Sequence, residues 1–212
     1  TSLVSVEDTC NKGGGSCWDV IELEKISRWC RTNNMPFHLD GARAFNALVA
    51  RGNDIKAYGS LFDSVSICLS KGLGAPVGSV LLGSKDFIRE AHRTRKVMGG
   101  GMRQAGILAA AGLLALDRYP KTLVIDHQRA QQLSAGLMRL PWVKKVLPVE
   151  TNIVIFELHE ANAALLCAKL KEKSVLCMPF GPDKVRFVTH ADFNDDALEY
   201  TLSVLQSLSF NA

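Results

Sequence analysis

The sequence predicts an α/β fold with a mostly parallel sheet, continued by a smaller α+β layer. Three observations carry that prediction. Strand-like runs at residues 2–6, 37–39, 64–69 and 78–82 alternate with helix-like stretches at 19–33, 42–51, 54–59 and 84–96, the rhythm of crossover connections. At 212 residues, with 47% hydrophobic and 22% charged residues, the chain is long and apolar enough to bury a substantial core. Asp40 and Lys71 each stand where a strand gives way to a loop, the usual place for ligand sites in open parallel sheets.

Residues 2–6 alternate and are rich in β-formers, so they read as a strand. The chain opens inside it and without methionine, which implies a segment upstream of Thr1. Next comes NKGGGS, residues 11–16. A glycine cluster of this kind can cradle phosphate, but without a following lysine and hydroxyl it reads as a plain flexible turn. In residues 19–33 a helical face is outlined by Ile21, Leu23, Ile26, Trp29 and Cys30, with Asp19 near its start. Ser84 is placed to cap the helix over 84–96. Three successive glycines, Gly99 to Gly101, interrupt the pattern before an alanine- and leucine-rich stretch at 104–116, read as a buried helix. Tyr119 and Pro120 mark a break, and 121–140 forms a long amphipathic helix. Beyond it, strands are expected at 151–158, 174–178 and 185–189, and helices at 161–173 and 195–208, the last opened by Asn194.

A net charge of +4, not gathered into any run, gives no reason to expect nucleic-acid or membrane partners. No apolar stretch is long enough to span a bilayer and the first residues are not a signal peptide. The six cysteines, Cys10, Cys17, Cys30, Cys68, Cys167 and Cys177, lack zinc-type spacing and fit a reducing compartment, with a cytoplasmic or mitochondrial location expected and no metal. His92 and His127 read as helix surface, and His38 as orienting the end of the strand that carries Asp40.

Lys71 lies between Ser70 and Gly72, with Gly74 and Gly78 following. A lysine amine at one strand end and a carboxylate at another are what an enzyme using pyridoxal 5'-phosphate needs: the amine holds the cofactor covalently and the carboxylate keeps its pyridine nitrogen protonated. Taken singly, each has a plainer reading. A lysine in a glycine-rich loop is usually a solvated turn residue, and Asp40 could simply cap the following helix. Their conjunction with Arg43 in one alternating stretch favours the cofactor.

HLDGARAFNA (38–47), CLSKGLGAPVGSVLLGSKDFI (68–88), RKVMGGGMRQAGILAAAGLLAL (95–116) and RFVTHADF (186–193), in that order, resemble the low-specificity L-threonine aldolases, which have the aspartate aminotransferase fold, fold type I of the pyridoxal-phosphate enzymes. The resemblance covers nearly the whole chain, yet only the C-terminal part of such an enzyme. It implies a partial large domain over 1–120, a bridging helix and linker over 121–148, and a small C-terminal domain over 149–212. It also implies retro-aldol cleavage of threonine or allo-threonine to glycine and acetaldehyde, and a homo-oligomer, dimer or tetramer, with shared sites.

By the same resemblance Lys71 is the catalytic lysine, and Lys71, Asp40, Arg43 and Arg103 bind the cofactor. Arg103 would do so at the phosphate of a neighbouring subunit. Arg43 and Arg186 would hold the substrate carboxylate, although Arg186 alone could be an edge residue whose head reaches water. His190 would support its loop. The family's Glu-Asn-Thr-His-Asn segment has Asp8 and Cys10 here in place of asparagine and histidine, so acid–base help from that histidine is missing. The phosphate cup and the ring-stacking residue come, in the family, from a segment preceding Thr1, and the catalytic base is not fixed by these residues. Without that segment the strands carrying Asp40 and Lys71 would expose an apolar edge, a liability for aggregation. The other readings are a catalytically inactive, truncated aldolase-like interaction module, or another fold type I lyase or transferase.

Overall fold

The computed structural model describes residues 2–160 and 162–210. They fall into two compact units. The first contains residues up to Thr9 and Cys17–Lys121, the second Cys10–Ser16 and the residues from Thr122 onward.

The first unit is built on a four-stranded sheet in the order β1-β2-β3-β4, formed by β1 (Val4–Glu7), β2 (Phe37–Gly41), β3 (Ser64–Cys68) and β4 (Ser79–Gly83). The first three run parallel and β4 returns antiparallel along β3. Helix α1 (Val20–Thr32) leads from β1 to β2, and α2 (Ala44–Arg51) and α3 (Ile55–Gly59) lead from β2 to β3. Helix starts follow local chemistry: the side chains of Asp19, Asp54 and Ser84 accept from first-turn N–H groups, satisfying donors that have no partner within the helix. Helix α1 does not bury the face the sequence outlines. Leu23, Ser27 and Cys30 are buried, while Ile21 and Trp29 are both 56% exposed. Ser27 takes the place because its hydroxyl donates to the Leu61 carbonyl at 2.6 Å.

The register decides the two faces of this sheet. Because His38 pairs with Ser64 and Asp40 with Ser66, and side chains alternate, His38, Asp40, Ser64, Ser66 and Cys68 share one face. Leu39, Val65 and Ile67 share the other, where with Ala44, Phe45, Leu48, Tyr58 and Val80 they line an almost wholly apolar cavity of about 240 Å³. Strand β4 is exposed along its whole length and forms an edge of the sheet, whereas β2 and β3, the strands leading to Asp40 and Lys71, lie inside it.

Helix α4 (Lys85–Val97) is followed by α5, a single helix over Gly106–Leu137. The expected break at Tyr119 and Pro120 does not occur. A proline inside a helix forfeits one hydrogen bond and crowds the preceding turn, but here the turns on both sides are anchored. The Tyr119 ring packs on Phe45 with centroids 4.3 Å apart, and Leu123 is fully buried. The first half of α5 is not the buried helix anticipated, since Ile107 and Leu113 are 84% and 71% exposed. Apolar residues encircle it, and only the side carrying Gly112, against Leu69, and Ala115 is covered.

In the second unit, β5 (Val143–Val146), β6 (Ile153–Leu158), β7 (Met178–Pro179) and β8 (Lys184–Val188) form an antiparallel sheet ordered β5-β6-β8-β7. Helices α6 (Ala163–Glu172) and α7 (Asp195–Ser207), the latter capped by Asn194, complete it. The start of the predicted 161–173 helix lies outside the described residues. Val154, Phe156, Val185 and Phe187 of the sheet pack with Leu133, Leu137, Leu166 and Leu205 of the helices. Strand β5 was not anticipated, because its sequence VKKV lacks clean alternation and the pairing carries a register shift. The strand expected over 174–178 shrinks to β7, because only Met178 and Pro179 find partners on β8.

His127 is not on the helix surface. It lies on the inward stripe of α5 with Leu123, Ala130 and Leu137, all buried, and burial pushes its imidazole down to about 4. Its neighbour Asp126 is 1% exposed, with no hydrogen-bond partner for either carboxylate oxygen among the described residues. Burial raises it to about 6 against the opposing pull of Arg129 and His190. The two act on stability with opposite sign. The raised Asp126 contributes stability at low pH that is lost as pH rises from about 4 through 6. The depressed His127 contributes stability above about 6.5 that is lost as pH falls toward 4. Asp126→Asn is therefore expected to gain up to about 3 kcal/mol over the parent as pH rises through that window. His127→Gln should flatten the acid limb instead. Urea unfolding at a series of pH values separates them, and parallel curves for parent and Asp126→Asn would contradict this reading.

Candidate functional site

Strand β2 delivers Asp40 to its C-terminal end. Asp40 sits there exposed, its Oδ1 accepting from the Ala42 N–H at 3.2 Å. Three residues on, Arg43 is the half-buried residue immediately before α2. Strand β3 runs parallel beside β2 and ends at Cys68, so the Ser70–Lys71–Gly72 turn leaves the same edge of the sheet. Lys71 is exposed, and its carbonyl accepts from the Gly74 N–H at 2.9 Å. Gly74 has a φ of +78°, in the left-handed region that only glycine enters without penalty. Between the two strand ends the sheet presents small side chains, Ser66 and Cys68, on the face that carries Asp40. The Cys68 thiol is affected most by burial, which raises it, but hydrogen bonds with Ser70 and Ser79 and the Lys71 charge together hold it below the ordinary range.

His38 does not reach the end of its strand. Its Nδ1 lies 2.8 Å from the Ser64 hydroxyl, tying β2 to the start of β3. Asp40 is steadied from β1 instead, where the Asp8 N–H donates to the Asp40 carbonyl at 3.0 Å. Asp8 is itself buried. It accepts from the Tyr58 hydroxyl at 2.7 Å and from the Trp18 N–H at 3.4 Å. Burial and then the Asp8 charge push the Tyr58 phenol far above its usual range, so it remains a donor. Tyr58→Phe strips a donor from a buried carboxylate, which costs about 1–3 kcal/mol. The expected result is a lower urea midpoint with an unchanged slope, and an unshifted midpoint would contradict the assignment.

Arg103 follows the glycines between α4 and α5. It is exposed and makes no side-chain hydrogen bond or ion pair among the described residues. Arg186 belongs to the second unit, on β8. Its Nη1 donates to Asn11 Oδ1 at 2.9 Å, Nη2 lies 3.7 Å from the Met178 sulfur, and the guanidinium stacks over Phe180 at 5.2 Å from the ring centroid. Its Nε is buried without a hydrogen-bond partner among the described residues. A buried orphan donor on a fixed guanidinium is a cost unless a ligand accepts from it. His190 lies in the following turn, its Nδ1 accepting from the Asp192 N–H at 3.3 Å.

Asn11 escaped sequence reasoning because its partner is 175 residues away. The loop that carries it is no loose turn. Gly14 and Gly15 are buried with φ of +75° and +78°, and the Gly15 carbonyl accepts from the Thr151 hydroxyl at 2.7 Å. A Cβ on Gly15 would collide with that hydroxyl and sit 3.2 Å from Ile153 Cβ. The signal available in the sequence was the glycine cluster beside a lone amide.

Known proteins resemble this chain in sequence and in fold. Low specificity L-threonine aldolase of Escherichia coli strain K12 is 41% identical over 198 residues, covering 93% of this chain and 57% of that protein. Low-specificity L-threonine aldolase 1 of Arabidopsis thaliana is 39% identical, covering 97% of this chain and 59% of its own length. The chain thus spans less than two thirds of the relatives it matches. Among solved structures, threonine aldolase of Leishmania major superposes with a TM-score of 0.79 at 23% identity, covering 97% of this chain and 60% of that one. Histidinol-phosphate aminotransferase of Clostridium acetobutylicum superposes at 0.70 with 11% identity. The fold is therefore that of the fold type I pyridoxal-phosphate enzymes. No helix among the described residues is long and apolar enough to cross a membrane. Residues 1–161 match the Beta-eliminating lyase family, and with the strand ends placed as above the chain belongs to that family.

Proposed function

We propose that the protein acts in pyridoxal-phosphate-dependent aldol cleavage of a 3-hydroxy amino acid, threonine or allo-threonine, to glycine and an aldehyde, as part of a homo-oligomer. The observation that carries this reading is that Asp40 stands at the C-terminal end of β2 and Lys71 in the turn just past the C-terminal end of the adjacent parallel β3, with small side chains on the face that carries Asp40. Similarity to proteins named threonine aldolases supports the substrate class.

The residues present fit the cofactor. Lys71 offers an exposed amine for its aldehyde. Asp40 offers a carboxylate that only a backbone N–H engages. Ser66 and Cys68 leave room for a flat ring beside them. Bound pyridoxal phosphate supplies a sink for the electron pair released when the bond between the α and β carbons breaks. Asp40 holds the proton on the ring nitrogen, since an opposite charge at hydrogen-bond distance favours the charged form. Arg103 serves the phosphate group in a neighbouring subunit. Arg43 and Arg186 bind the substrate carboxylate, which the planar fork of a guanidinium matches; within its own unit Arg186 is held by Asn11 and Phe180.

Charge-assisted hydrogen bonds are worth about 1.5–3 kcal/mol, so Arg186→Leu is expected to raise the KM for threonine about 10- to 100-fold while leaving cofactor binding intact. A coupled assay of aldehyde release from L-threonine and L-allo-threonine measures it. No aldehyde from the parent protein with either substrate would sink the proposal, and an unchanged KM in the variant would remove Arg186 from it.

A further inference from the structure

The thiols of Cys167 and Cys177 lie 3.3 Å apart in the second unit, with Cys177 donating to Cys167. Cys167 projects from α6, and Cys177 directly precedes β7. Both are partly buried and pack against the core of that unit, and both are free thiols. A disulfide closes the sulfurs to about 2.05 Å with a specific Cβ–S–S–Cβ dihedral, and these two sulfurs, already in contact, start close to that separation. We propose that Cys167 and Cys177 form an oxidative modification site: a reversible intramolecular disulfide made by a peroxide-class oxidant, with Cys167 as the attacking and Cys177 as the resolving thiol.

The hydrogen bond sets the order of events. Burial raises both thiols, but the bond from Cys177 works against that rise at Cys167 and adds to it at Cys177. Cys167 therefore reaches the thiolate form more readily, and the thiolate is the nucleophile. Its sulfur attacks one peroxide oxygen. The oxygen–oxygen bond breaks, hydroxide leaves and takes up a proton, and Cys167 becomes a sulfenic acid. The Cys177 sulfur, having lost its proton, then attacks the Cys167 sulfur. The sulfur–sulfur bond forms as the sulfur–oxygen bond breaks and a second hydroxide leaves as water. In sum two thiols and one peroxide give one disulfide and two waters. A thiol reductant reverses the modification by exchange.

The place of the pair gives the bond a consequence. Met178, next to Cys177, pairs with Arg186 across β7 and β8, and its sulfur touches the guanidinium. A Cys167–Cys177 bond ties that strand to α6 and restrains one wall around Arg186. The chemistry of the pair itself does not depend on the activity proposed above.

The test is peptide mass mapping after hydrogen peroxide treatment of the intact protein, with a sulfenic-acid trap such as dimedone in parallel. The expected result is a linked peptide pair containing Cys167 and Cys177, lighter by two hydrogens and restored by dithiothreitol. Cys177→Ser should accumulate the dimedone adduct on Cys167, and Cys167→Ser should show none on Cys177. Both substitutions are nearly isosteric, and a circular-dichroism melt confirms that each variant is folded. Absence of the linked peptide in the parent would overturn the site. Trapping on Cys177 in Cys167→Ser but not on Cys167 in Cys177→Ser would overturn the assigned order. Because the readout is mass, loss of aldolase activity for any other reason leaves it unmoved.

Discussion

Lys71→Ala is expected to abolish the visible absorbance band of bound pyridoxal phosphate and to reduce aldehyde release by at least about 10³-fold. Lys71 lies in the turn past the end of β3, next to β2 and Asp40 in the parallel sheet, and its side chain is exposed. Alanine there removes the amine without opening a cavity, so the thermal midpoint should stay where it is. Loss of band and activity at unchanged stability identifies a covalent anchor. A retained band in the folded variant would show that another amine holds the cofactor, and the alignment of Lys71 with Asp40 would lose its meaning.

Asp40→Asn is expected to separate holding the cofactor from using it. The amide keeps the size of the carboxylate and an oxygen for the Ala42 N–H, but it carries no charge to keep the ring nitrogen protonated. The cofactor should still attach at Lys71, while kcat falls on the order of 10²–10⁴-fold, the range for removing a positioned proton-handling group. The KM for the amino acid should change little, because Arg43 and Arg186 carry its carboxylate in this account. A variant of near-parental kcat would return Asp40 to the plainer role of ordering the turn into α2. If Asp40→Asn fails to bind cofactor at all, the carboxylate acts on binding and the proposed division of labour is wrong.

The parts of this molecule that the sequence made legible are those written in neighbouring residues. Asp19, Ser84 and Asn194 cap helices near where their side chains announced them, because capping is settled within three residues. Asp40 and Lys71 were legible for a similar reason: Asp40 stands near the end of β2 and Lys71 three residues past the end of β3, each within a few residues of its own strand's end. What could not be read was set by partners distant in sequence. His127 looks like helix surface until the second unit packs around α5, and Asn11 looks like a turn residue until Arg186 arrives from β8. Pro120 shows the reverse error. Its local veto on helix is real, yet packing at Tyr119 and Leu123 on either side outweighs it.

The most direct test of the central claim is to incubate the purified protein with pyridoxal phosphate, reduce it with borohydride, and map the modified peptide by mass spectrometry. The account predicts a single stoichiometric pyridoxyl group on Lys71, with the absorbance of the unreduced protein shifting when glycine is added. Scattered labelling over surface lysines, unchanged in Lys71→Ala and indifferent to glycine, would contradict it.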